Sequence, residues 1–468
     1  MEKKQNRGSF TGRLGFVLAA AGSAVGLGNI WRFPYLAAKD GGGLFLLVYF
    51  ILALTFGFTL LITEISIGRK TGLSPLVAYK KIHPKMGWVG VLASAIPALI
   101  LPYYCVIGGW VLKYLSVFVT GQGAAAAADG YFSAFTAEVG SPLLWFTVYL
   151  IITAFVVYKG VNKGIERMSK VLMPLLLVLI FGISVYSLFL KNTDASGAVR
   201  TGLEGFKVYL IPNFDGMTVK QFLVILTDAM GQLFYSISVA MGIMITYGSY
   251  VPKDTDLNKS VTQIEFFDTA VAFLAGMMVI PAVFTFMGRE GLSASGPSLM
   301  FVALPKVFTA MGPVVGLIVG VLFFVTVFFA ALTSSVSIME AIVSCIVDRF
   351  SMKREKAALL VTLAAGVVGA VVCLGYNVLR FEATLPNDTK GQILDILDYI
   401  SNYVLMPVVS VATCLFVGWV AKPKMIIEEV TLGGFRFRRE KLYVVMVKYI
   451  TPVLLTFLLL RALGIVKF

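Results

Sequence analysis

The sequence predicts an all-α polytopic membrane protein, and three features carry that prediction. Of the 468 residues 58% are hydrophobic, only 14% are charged, and the mean hydropathy is +0.88. The apolar residues also fall in blocks of about twenty, the length of helix that crosses a hydrocarbon core, rather than in the alternating ten-residue strands of a barrel. Soluble enzyme and DNA-binding classes are excluded on the same grounds. A formal net charge of +14 raises nucleic acid as a partner, but no basic patch, stripe or arm accompanies it, so nucleic acid is excluded and the charge calls for a topological explanation.

Apolar runs bounded by charges or turn residues give about eleven spans. They lie near 12–37, 43–68, 88–119, 142–158, 169–190, 221–249, 262–287, 314–346, 357–376, 394–420 and 442–463. The first follows a basic N-terminus, MEKKQNRGSFTGRLG, that leads to no small-residue cleavage site and is read as retained. The loop before the third, KKIHPKMGW, holds the single histidine, His83, with no converging ligands for a metal. Longer connections follow the fifth and seventh spans. The second of these, GREGLSASGPSLMFVALPKVF, is too apolar for a solvated loop and is expected to pack as short helices over one mouth. Cys105, Cys345, Cys373 and Cys414 each sit alone in an apolar run and read as small buried hydrophobes. About 25 of the 39 basic residues lie in the N-terminus and in the loops after spans two, four, six, eight and ten, which predicts a cytoplasmic N-terminus and an outside C-terminus. Sequons at Asn258 and Asn387 carry no weight, the first being predicted inside.

Irregular backbone at membrane depth is tolerated only where it lines a cavity, so helix breaks point to a site. The first span reads AAAGSAVGLGNIWRFP, with Gly22, Gly26 and Gly28 near its middle and Asn29, Arg32 and Pro34 after them. Each glycine lowers helix propensity by about 1 kcal/mol relative to alanine. Small-residue helix packing accounts for a Gly22 to Gly26 spacing, but not for an arginine and an asparagine in one span, and an intramembrane charge marks a functional path. Span six, LTDAMGQLFYSISVAMGIMITYGSYVPKD, carries a softer interruption at Gly231, Gln232, Ser236, Ser238 and Gly242. Interruptions five spans apart are the signature of a 5+5 inverted repeat with broken helices 1 and 6. The expected division is 10–190 for helices 1–5, 220–420 for helices 6–10 and 442–463 for an added helix 11, all within one transporter domain over 1–468. Asp268 in EFFDTAVAFLAG and Glu64 in LITEISIGR are intramembrane acids, where an unpaired structural carboxylate is expensive.

The stretches RLGFVLAAAGSAVGLGNIWRFPY, GGG and TEISIGR, followed by GQLFYSIS, ITYGSYV, FFAALTSS and LDYISNY, resemble the bacterial neurotransmitter:sodium symporter family over nearly the whole chain. The family has the same broken-helix architecture, so the two readings are not independent. The resemblance implies sodium-coupled symport of an amino acid into the cell by alternating access. It places the substrate carboxylate on the amides of Leu27 and Gly28 and the hydroxyl of Tyr104, and the ammonium on carbonyls of Ala24, Tyr235, Ser236 and Ser238. A helix N-terminus at the break would favour the carboxylate. It places one sodium among Ala24, Asn29, Ser236, Asp268 and the substrate, and a second among Gly22, Val25, Ala330, Thr333 and Ser334. Oxygen ligands of this kind suit a hard cation. Read without the resemblance, the serines and threonines of LTSSVS are ordinary residues bonding back to their own helix. Family members that carry monoamines have aspartate where this chain has Gly26, so its substrate is expected to bring its own carboxylate. Asp268 resembles a fixed replacement for the chloride of animal members, so no chloride requirement is expected.

The resemblance further implies an apolar subsite of Ile100, Tyr104, Tyr235, Ser238, Met241, Ser337 and Ile338, with Ser334 beside it. Tyr235 and Met241 replace phenylalanines of the family pattern and Ala240 a glycine, which suits a neutral hydrophobic amino acid, aliphatic or aromatic. Arg32 and Asp398 are the expected outer gate, under an aromatic lid of Tyr104 and Tyr235. Arg7 and Asp348 form the cytoplasmic gate, aided by Tyr250 and Gln232, although solvated loop charges are an equal reading of that pair. Glu64 is assigned to bracing the broken region. The expected setting is the cell membrane, with lipid and the amino acid as partners and the chain a monomer or weak dimer. A sodium-independent exchanger of the same fold is the alternative. A channel lacks its filter repeat, a membrane enzyme its nucleophile, base or metal motif, and a sensor that binds without transport differs only in flux.

Overall fold

The computed structural model describes residues 8–193, 197–214, 217–293, 296–386 and 390–466. Nine continuous apolar helices are long enough to cross a bilayer among the described residues: Gly43–Thr71, Pro84–Val119, Gly140–Tyr158, Val161–Leu188, Leu257–Gly291, Pro313–Phe350, Arg354–Leu374, Ile393–Val420 and Glu440–Ala462. They are spans two to five and seven to eleven. Span one is a bent pair, Arg13–Ala24 and Gly28–Lys39. Span six is the pair Val219–Ser236 and Ile243–Gly248, separated by six residues without helix. The expected all-α architecture with breaks in spans one and six is therefore present. Span five begins eight residues before the hydropathy suggested, because the charged run Lys163, Glu166, Arg167 and Lys170 hides a π-helical first turn, Val161–Glu166.

Helix character follows from burial. Arg13–Ala24 is buried on every side from Gly15 onward, as a helix at the centre of a bundle must be. Spans four, five, nine and eleven instead turn large apolar residues outward, among them Phe155, Phe181, Val367 and Val453, which is the pattern of a lipid-facing surface. At 33 residues, Gly87–Val119 is about 50 Å long, well beyond the roughly 30 Å hydrocarbon core, and carries Pro97 and Pro102 inside it.

Two packed groups organise the whole. Spans one and six pack with two and seven, and spans three and eight pack with four and nine. Span eleven packs on span ten and touches span six. Between spans seven and eight the apolar connection forms short helices, Gly296–Ser298, Leu299–Ala303 and Leu304–Ala310. They were expected over one mouth, and Phe301 there meets Trp31, Trp110, Tyr114 and Phe132. All four cysteines are buried and unbridged.

Candidate functional site

The halves of span one are inclined at 53°. Val25 leaves the helix in an extended conformation, ψ 95°, which frees the next amides to find other acceptors. The Gly26 amide donates to Asn29 Oδ1 at 3.1 Å and the Leu27 amide to the Tyr104 hydroxyl at 3.4 Å. Close approach accounts for the glycines. A Cβ on Gly28 would lie 2.7 Å from the Tyr235 ring, and one on Gly26 2.8 Å from Ser334 Oγ.

Span six breaks differently. Ser238 and Ala240 take φ of 54° and 67°, and Gly242 takes 70°, so two residues with side chains occupy left-handed backbone at about 1–3 kcal/mol each. External partners hold them there. Ala240 donates its amide to Glu64 Oε1 at 2.6 Å, and Ser238 its hydroxyl to the Ser23 carbonyl at 2.9 Å.

A cavity of about 20 Å³ lies between the breaks. Ala24, Leu27, Gly28, Ile100, Tyr104, Tyr235, Ser236, Ser238, Met241, Ser334 and Ile338 line it, with Ser23, Gly26 and Asn29. Its walls offer amides, hydroxyls and apolar surface but no ionised side chain. Ser337 does not reach it; its hydroxyl donates to the Thr333 carbonyl one turn back, at 2.7 Å. Above lies a vestibule of about 720 Å³, and Tyr235 alone among the described residues lines both spaces.

Beside the cavity, three predicted residues meet. Asp268 Oδ1 accepts from Asn29 Nδ2 at 2.9 Å and from Ser236 Oγ at 2.7 Å. Its other oxygen accepts from the Tyr49 hydroxyl at 3.4 Å. Tyr49 was not foreseen, since a tyrosine within span two carries no spacing signal toward span seven. Ala24 lines the cavity next to this group.

A second polar group joins spans one and eight. Ser334 Oγ lies 3.4, 3.1 and 3.3 Å from the carbonyls of Gly22, Ser23 and Val25. One hydroxyl proton cannot satisfy three carbonyls at once, so several oxygens crowd together here with a single proton between them. Thr333 Oγ1 joins the same region, bonding back to Phe329 and Ala330 carbonyls at 3.0 and 3.1 Å, and a Cβ on Gly22 would lie 3.2 Å from Thr333 Cβ. Ser23 was missed, although a polar residue within a glycine-rich break was a usable sign.

The expected gates are only partly assembled. Arg32 and Asp398 line one vestibule, but Arg32 donates to the Tyr403 hydroxyl at 3.3 Å while Asp398 accepts from Tyr103 at 3.0 Å and Asn402 at 2.6 Å. Gln232 sits at the other break instead of beside Tyr250, donating to the Gly28 carbonyl at 3.0 Å. Tyr250 donates to Glu340 at 2.7 Å, and Glu340 pairs with Arg354; that buried acid was not foreseen. Asp348 accepts from the Ser74 amide at 2.7 Å, and Arg7 lies outside the described residues. Glu64 stands at the span-six break, on the Ala240 amide.

Two broken helices converging on a cavity at mid-bundle, with clustered polar oxygens on either side, are the arrangement of a secondary membrane transporter. The profile of the Sodium:neurotransmitter symporter family matches residues 7–128 and 132–468, and the chain belongs to that family. It is 34% identical to the sodium-dependent transporter YhdH of Bacillus subtilis, over 97% of this chain and 98% of that one. It is 25% identical to the sodium- and chloride-dependent GABA transporter 2 of Rattus norvegicus, over 80% of this chain and 69% of the relative. Among solved structures it resembles MhsT, crystallised in complex with L-phenylalanine, at a TM-score of 0.84 and 35% identity, covering 97% of this chain and all of that one.

Proposed function

We propose that this chain couples sodium entry to uptake of a neutral hydrophobic amino acid into the cell, with two sodium ions and without chloride. The observation that carries the reading is the pairing of an uncharged cavity with an acid-anchored oxygen group at its wall. A zwitterion brings both of its charges to a cavity that has none. Its carboxylate meets the Leu27 and Gly28 amides and the Tyr104 hydroxyl, and its ammonium the carbonyls around Ala24, Tyr235, Ser236 and Ser238. Ile100, Met241 and Ile338 enclose the side chain, and methionine adapts to irregular shapes. MhsT, solved with phenylalanine, supports an apolar substrate.

Asn29, Ser236, Asp268 and the Ala24 carbonyl would hold one sodium in contact with the substrate carboxylate, so that each stabilises the other. Gly22, Val25, Ala330, Thr333 and Ser334 would hold the second and join spans one and eight. The fixed charge of Asp268 supplies locally what a chloride would supply elsewhere. Repeats over 10–190 and 220–420, with 442–463 added, and a cytoplasmic N-terminus complete the reading; the vestibule then faces outward. Arg32 would leave Tyr403 for Asp398 as the vestibule closes.

A tenfold sodium gradient supplies about 1.4 kcal/mol per ion, and a membrane potential near 100 mV adds about 2.3. Two ions give about 7 kcal/mol, roughly 10⁵-fold accumulation of a neutral zwitterion, and one ion only a few hundredfold. The test is uptake of radiolabelled neutral amino acids into proteoliposomes under an inward sodium gradient, with potassium or choline as controls. Sodium-dependent accumulation that survives chloride removal is expected. Uptake indifferent to sodium would overturn the reading in favour of exchange.

A further inference from the structure

Span eleven stands outside the two packed groups, yet its last turn forms part of the vestibule wall through Leu458, Arg461 and Ala462. Arg461 reaches across to span six. Its guanidinium donates to Asp228 Oδ1 at 2.8 Å, to the Thr227 hydroxyl and to the Val224 carbonyl at 3.4 Å. The other Asp228 oxygen accepts from Lys39 at 2.8 Å, and Lys39 closes the half of span one that follows the break. Lys39 also lies 3.6 Å from Asp40. A single carboxylate thus ties the vestibule ends of spans one and six to the end of span eleven.

A second chain of contacts reaches the same point from span ten. The Tyr399 hydroxyl donates to the Ala462 carbonyl at 2.7 Å, Tyr399 stacks on Tyr403 at 5.8 Å, and Tyr403 accepts from Arg32. The contacts run in a closed ring through spans one, ten, eleven and six around the vestibule. Asp228 side-chain exposure is 15% and that of Arg461 27%. Pairing at that depth is stronger than between fully solvated ions, and truncating Arg461 leaves Asp228, itself partly desolvated, with Lys39 as its remaining ion-pair partner among the described residues.

We propose that Arg461 is a positioning residue of transport, a latch that fastens the vestibule-side halves of spans six and one to span eleven and so favours the open vestibule. The proposal rests on the transport reading. Translocation then requires either that span eleven travels with spans one and six or that the latch releases.

The test follows how fast a maleimide labels Gly231→Cys, a vestibule position where a Cβ has no neighbour closer than 3.7 Å, beside sodium-driven uptake in proteoliposomes of the full chain. Arg461→Ala is expected to slow labelling severalfold and to lower maximal uptake more than it changes the half-saturating substrate concentration. Arg461→Lys should restore much of both. The exchange Arg461→Asp with Asp228→Arg should recover more labelling than either change alone. Unchanged labelling together with lower thermal stability would overturn the proposal and leave Arg461 a structural anchor. Equal defects in the exchanged pair and in its single variants would overturn it as well. Labelling is read without substrate or flux, so a failed latch and a failed symport reading give separate results.

Discussion

The breaks in spans one and six do the same work by opposite means. Span one departs from helix over two residues, Val25 and Gly26, and glycines make room for Tyr235, Ser334 and Thr333. Span six departs over six residues, puts Ser238 and Ala240 at positive φ, and depends on Glu64 and Ser23 to hold them. One break is written in the local chain; the other is imposed by partners far away, Glu64 being 176 residues from Ala240. A locally encoded break tolerates loss of its neighbours better than loss of its glycines, and an imposed break behaves the other way.

The largest effect is expected where the two breaks meet. Asp268→Ala removes the acceptor shared by Asn29 of span one and Ser236 of span six, and should abolish sodium-driven uptake, a loss of about a hundredfold or more, corresponding to roughly 3 kcal/mol. Uptake within a few-fold of the parent would show that the breaks operate separately. Gly28→Ala drives a methyl into the Tyr235 ring and is expected to lower uptake at least tenfold, about 1.4 kcal/mol, while Gly12→Ala, with open space around it, leaves uptake unchanged. Equal tolerance at both positions would remove the claim that close approach fixes span one.

Glu64→Ala leaves the buried Ala240 amide without its acceptor, which costs about 1–3 kcal/mol. Thermal unfolding in detergent should register it, and Glu64→Gln, which keeps an acceptor oxygen, should recover part of the loss. No difference between Ala and Gln at 64 would mean that span six holds its own shape. The smallest effect belongs to Ala240→Gly, which relieves the positive φ but loosens the unfolded chain, so stability should move by no more than about 1 kcal/mol with uptake retained. A large loss there would show that the strained conformation itself is needed.

The same contrast governs what the sequence revealed. Span one was legible because glycine, asparagine and arginine inside an apolar run break a compositional rule. Asp268 and Glu64 were legible as acids in apolar runs, but their partners were not. Nothing in the chain between residues 49 and 268 says that Tyr49 faces Asp268. The sign of φ at Ser238 and Ala240 is invisible in residue type, since alanine favours helix. Resemblance supplied the grouping of Asn29 with Ser236 and of Gly22 with Ser334, which periodicity does not yield. It misled at Gln232, placed at the far gate although it bonds Gly28, and at Ser337, whose helical phase turns it from the cavity.

Tyr235, half-buried, lines both vestibule and cavity, alone among the described residues. Rotamers of exposed side chains turn over in picoseconds to nanoseconds, whereas collective helix motions take microseconds to milliseconds. Under the proposed transport reading, movement of Tyr235 faster than that of the helices would let an incoming molecule enter and leave the cavity many times before the helices commit to one transit. Occupancy of the cavity would then be in pre-equilibrium with the bathing solution. Selectivity among substrates would then be set during that sampling, as a ratio of binding affinities, and the slow motion of the helices would only commit the occupant already chosen.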